Sequence, residues 1–78
     1  MANEFVGDYK TQRDGGVTYY YEAMWIRRGK EVLWRAKVRR KTWHVGDIEG
    51  RIPNAPPDGQ VTPLVEAKIA ADIESKIR

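Results

Sequence analysis

The chain contains no cysteine, a single serine (Ser75) and a single histidine (His44). Without thiols there is no disulfide, no thiolate nucleophile and no cysteine-ligated zinc. A Ser-His-Asp arrangement would need Ser75, His44 and a carboxylate together, and no spacing suggests it. One histidine among scattered acids does not make a transition-metal ligand set. Gly15-Gly16 and Gly46/Gly50 match neither a P-loop nor a dinucleotide-binding fingerprint. Asp47 and Glu49 form the nearest approach to a carboxylate pair, in a glycine-rich stretch where solvation accounts for them. No apolar run approaches membrane-spanning length, and MANEFVGDYK lacks the basic-then-apolar order of a signal peptide. The expectation is a non-enzymatic domain without a cofactor, away from membranes, in a reduced compartment and most simply the cytoplasm.

What is present is basic charge, unevenly spread. The 78 residues suffice for one domain, and a chain this short buries only about 60% of its unfolded surface, so dimerisation would supplement a small core. Net charge is only +3, but the segment from Arg27 to Lys41 holds eight bases against one acid, Glu31. That segment carries +7 and leaves the remainder at −4. Such asymmetry points to an anionic partner.

Residues 17–28 and 31–41 are rich in aromatic and β-branched types, as strands are. Gly29-Lys30 between them is a two-residue type II′ hairpin signal. The register follows, with paired residue numbers summing to 59. Trp25 then faces Trp34, Ala23 faces Ala36 and Tyr21 faces Val38 on one apolar side. Arg28 opposes Glu31, Glu22 opposes Lys37 and Tyr20 opposes Arg39, all favourable cross-strand partners. A one-residue slip would exchange the faces and lose this agreement.

Upstream, a first strand over about 4–12 turns through Asp14-Gly15-Gly16. A three-residue turn there pairs Phe5 with Trp25 and Tyr9 with Tyr21, placing both on the apolar side. The third strand is expected to run to about Val45, with Gly46 and Gly50 making 46–53 an irregular return. Residues 53–61 read as a proline- and glycine-rich loop. A helix then spans 63–77, with Thr62 as N-cap and Pro63 at the first helical position. Val65, Ile69, Ile73 and Ile77 form its apolar stripe, while Lys68, Asp72, Glu74, Ser75 and Lys76 face away and nearly balance in charge. The expected fold is therefore α+β: a three-stranded antiparallel meander with one C-terminal helix packed on one face, in the order βββα.

The uncovered face would show Thr18, Tyr20, Glu22, Met24 and Ile26 from the second strand. The third strand would add Leu33, Arg35, Lys37, Arg39 and Lys41, with Trp43 at its end. Arg35, Lys37, Arg39 and Lys41 would be spaced about 6.6 Å apart, near the phosphate repeat of an extended nucleic-acid strand. Tyr20 and Trp43 would interleave as stacking surfaces, and Arg27, Arg28 and Lys30 would extend the site at the hairpin tip. DNA or RNA binding through this face is the specific function to expect. At the level of architecture alone the domain is similar to the sheet-plus-helix domains of some plant transcription factors and of phage-integrase arm-binding domains, and it carries none of their sequence motifs. The alternative partner is a protein or a second copy, using the apolar cluster Met24, Ile26 and Leu33. A plainer account has the row simply solvated, with Lys37 engaged by Glu22, Arg39 over Tyr20, and long basic stems covering Met24 and Leu33.

Overall fold

A computed structural model describes residues 3–12 and 15–76. Four antiparallel strands form one sheet in sequential order: β1 (Asn3–Lys10), β2 (Thr18–Arg28), β3 (Glu31–Arg40) and β4 (Trp43–Ile52). A 3-10 turn at Asp58–Gln60 leads into helix α1 (Val61–Lys76). The α+β class, the antiparallel sheet and the C-terminal helix agree with the sequence. The count of three strands does not.

The β2–β3 hairpin has the expected register, with Trp25 opposite Trp34, Ala23 opposite Ala36 and Arg28 opposite Glu31. Gly29 supplies the positive φ, +63°, that the first position of a type II′ turn requires.

The third strand ends at Arg40 instead of continuing to residue 45. Lys41 and Thr42 form a second tight turn, and residues 43–52 return as β4. The turn escapes sequence reading because Lys41 takes φ +57°, a conformation that glycine or asparagine would have advertised. The two glycines that looked like interruptions sit inside this strand, Gly46 across from Val38 and Gly50 across from Trp34. At Gly50 a Cβ would stand 2.7 Å from Trp34 Cζ2, so glycine is what lets the indole lie across the neighbouring strand. Gly7 on β1 makes the same room for the ring of Tyr21. Between Val38 and Arg39 the β3–β4 register shifts, leaving Val45 as the extra residue of a bulge; it turns to pack against the core.

The first hairpin is looser than expected. Phe5 pairs with Ala23 and Tyr9 with Tyr19, two residues from the predicted register, so the apolar side is kept while the loop lengthens. Thr11 explains the choice. Its N–H donates to Val17 O at 2.9 Å, and its buried hydroxyl accepts from Val17 N–H at 3.0 Å, closing the ladder before Gln12. Of the predicted turn, Asp14 lies outside the described residues, whereas Gly15 and Gly16 both have positive φ.

Helix α1 begins at Val61, so Thr62 is not its N-cap. The Thr62 hydroxyl instead accepts from Trp25 Nε1 at 3.0 Å. Val61, Val65, Ile69 and Ile73 are fully buried against Trp25, Val32, Trp34, Ala36, Val38, Ile48 and Ile52. Ile77, predicted to continue the stripe, lies outside the described residues. A flanking polar stripe ties the helix to the sheet at Thr62, at Glu66 beside the Tyr21 hydroxyl (3.5 Å), and at Glu74. Glu74 was expected to face away. It instead accepts from the Tyr9 hydroxyl at 2.9 Å and from Gln12 N–H at 2.8 Å. The connecting loop is pinned to the β2–β3 turn by Ala55 N–H donating to Lys30 O at 2.8 Å.

Candidate interaction surfaces

With α1 on one side, alternation along four strands decides what the other side presents. Reading across the sheet from β1 to β4, the open face carries three full rows: Glu4–Met24–Arg35–Glu49, Val6–Glu22–Lys37–Asp47 and Asp8–Tyr20–Arg39–His44. A fourth, shorter row is Ile26–Leu33–Arg51. The cations predicted in a line are there, on β3. The carboxylates beside them are the new element. Glu49 and Asp47 come from the strand the sequence hid, and Glu4 and Asp8 follow from the corrected β1 register.

The predicted contacts of the row are also rearranged. Glu22 stands opposite Lys37 but its ion pair, 3.5 Å, is with Arg39. Glu31 stands opposite Arg28 but pairs with Arg51 of β4 at 3.7 Å. Met24, Ile26 and Leu33 are half-buried and adjacent, as expected. Val6 was not singled out from the sequence, yet it is 76% exposed and lines a shallow trough with Glu4, Glu22, Met24, Arg35 and Lys37.

The remaining predicted site residues are dispersed. Arg27 points to the helix side, where its guanidinium bonds Asp58 at 2.7 Å and Pro56 O, so it fastens the loop instead of facing a ligand. Arg28 and Lys30 are exposed at the β2–β3 end. Lys41 lies at the opposite end, in the β3–β4 turn and roughly 30 Å away along the strand. Trp43 does not close the row on the open face. It opens β4 opposite Arg40, whose parity is that of Val38 and the helix side, and beyond the helix's cover it is 73% exposed.

Two features invite a chemical reading. His44 Nε2 lies 2.8 Å from Asp47 Oδ1, so a histidine and a carboxylate do meet, both well exposed. Ser75 is not with them; its hydroxyl donates to Ala71 O on the helix. Among the described residues no group of three His, Asp or Glu is placed to hold a metal ion, and no helix is long and apolar enough to cross a membrane. The Tyr21 hydroxyl is raised above its usual pKa of 10.0, first by burial and then by the adjacent Glu66 carboxylate. No protein family, curated protein or solved structure matches the chain.

Proposed function

We propose that the protein is a non-enzymatic cytoplasmic interaction module that pairs with a second copy of itself through the open sheet face. The observation that carries this reading is the charge layout of the open face: Glu4 and Asp8 on β1, Arg35, Lys37 and Arg39 on β3, and Glu49 and Asp47 on β4, with Val6, Met24 and Leu33 among them. A phosphate track along β3 would be flanked on both sides by carboxylates that repel it. A protein surface of matching pattern would not be.

The pattern is complementary to itself. With a two-fold axis running along β2, the β1 of each copy lies over the β3 of the other at equal height. Glu4 then meets the partner's Arg35 and Asp8 meets the partner's Arg39, while Met24, Tyr20 and Glu22 each face their own image, the Glu22 carboxylates being neutralised by Arg39 of the same copy. Such an isologous contact closes at two copies. The half-buried Met24, Ile26 and Leu33 become its apolar part toward the β2–β3 end, with the charged rows beside them setting register and specificity.

Sedimentation velocity of two charge-reversed variants provides the test. Arg35→Glu/Arg39→Glu and Glu4→Lys/Asp8→Lys each place like charges in contact, so each alone should be monomeric. Their equimolar mixture should restore the dimer. A wild-type chain that stays monomeric across a wide concentration series, or variants that dimerise undiminished, would overturn the proposal.

A further inference from the structure

The β3–β4 turn differs from the rest of the basic segment. From Arg39 to His44 the sequence RRKTWH has no acid, and Arg40 through His44 are all exposed. The two nearest carboxylates on the ladder are already engaged, Asp47 with His44 and Glu22 with Arg39. No ion pair of Arg40 or Lys41 forms among the described residues. Arg40 has Trp43 and no carboxylate as its ladder partner, while Lys41 also borders a shallow trough on the open face whose lining includes Asp8 and Glu22. We propose that this turn binds single-stranded nucleic acid, with Trp43 stacking on an unpaired base and Arg40 and Lys41 holding the adjoining phosphates.

Three independent observations support this site. The first is Trp43, whose indole is 73% exposed where the other two tryptophans, Trp25 and Trp34, are 3% and 4% exposed. It is not a core residue, and a large aromatic left in water beside cations is what single-strand binders use to stack bases. The second is placement. Arg40 and Trp43 are direct cross-strand partners, so guanidinium and ring share one side of the ribbon, with Lys41 at the next position. The third is Lys41 itself. A left-handed backbone costs a non-glycine residue roughly 1–2 kcal/mol, and the other tight hairpin of this chain places glycine at the equivalent position, Gly29 at φ +63° against Lys41 at +57°. The turn keeps a cation where geometry favours glycine.

A single-stranded ligand fits better than a duplex. Two free cations at a two-residue turn are too few for a duplex footprint, and a paired base offers no face to the indole. Arg40 and Trp43 are on the helix side at the end of the sheet and Lys41 borders the open face, so the site meets the proposed dimer face only at Lys41, and its test does not depend on that dimer.

Fluorescence anisotropy with labelled oligo-dT, oligo-dA and a duplex tests it, read alongside tryptophan emission. Binding to the single strands should weaken by about tenfold between roughly 50 and 200 mM salt, as two to three neutralised phosphates require. Binding should quench the exposed tryptophan component, which Trp43→Ala removes together with about tenfold or more of the affinity. Arg40→Glu/Lys41→Glu should abolish binding. Arg35→Glu/Lys37→Glu, which lies clear of the turn, should leave it in place. No binding at the lower salt overturns the proposal. So do tighter binding to the duplex, equal competition by polyglutamate, unquenched Trp43 emission in the bound state, or loss of binding in the Arg35/Lys37 variant.

Discussion

Arg35 and Lys37 in the middle of β3, and Arg40 and Lys41 at its end, belong to one basic run and have opposite surroundings. The first two stand in rows with Glu49, Asp47 and Glu22. The second two stand at the β3–β4 turn, where Arg40 has Trp43 as its ladder partner and Lys41 has Asp8 and Glu22 only across a trough at the border of the open face. Composition treats the four alike. What separates them is whether a strand with acids at matching register lies alongside, so the fate of a charge cluster is decided by its neighbour in the sheet as much as by its own sequence.

The tryptophans of the same run carry the sharpest form of this contrast. Trp34→Ala should cost about 3–5 kcal/mol, because it empties the space between the sheet and α1. Trp43→Ala should change stability by no more than about 0.5 kcal/mol, because its ring is in solvent. Urea denaturation of the two variants measures both, and equal costs would erase the distinction.

Next in size is Gly50→Ala, which drives a methyl group into the Trp34 indole and should cost about 1–3 kcal/mol in the same assay. A neutral result would show that β4 does not lie against Trp34. Smaller still is Lys41→Gly. Relief of the left-handed backbone should leave stability unchanged or raise it by up to about 1 kcal/mol, while oligonucleotide affinity falls. The smallest effect concerns Tyr21. Its folded pKa is raised above the unfolded value, so its contribution is intact below pH 10.0 and is lost as pH climbs through the higher folded value. Alkaline denaturation profiles should therefore be flatter above that pH for Tyr21→Phe than for the wild type.

The β2–β3 hairpin was legible in the sequence because Gly29 marks its turn and every cross-strand pair agrees with one register. The helix was legible from its four-residue apolar repeat, although Val61 extends it beyond the Thr62 boundary. β4 was hidden twice over. Lysine occupies its turn, and of the two glycines that read as breaks Gly46 pairs with Val38 inside the strand while Gly50 leaves the space that the Trp34 indole fills. The β1 register was missed because a threonine hydroxyl, Thr11, fixes it across five intervening residues. Of the candidate site, the cations of β3 could be read from alternation alone. Their flanking acids could not, since Glu49 and Asp47 become neighbours only once β4 exists. A signal for Trp43 was present in the acid-free stretch RRKTWH, but its side of the sheet depends on the bulge at Val45.

Two-wavelength sedimentation velocity, following protein and labelled oligo-dT in one cell, tests the division of the basic run most directly. A crossed result is expected. Arg35→Glu/Lys37→Glu should sediment as a monomer that still carries the oligonucleotide. Arg40→Glu/Lys41→Glu should remain a dimer without it. If either pair abolishes both activities, or if neither affects its own, the run is a single surface and the division between face and turn is wrong.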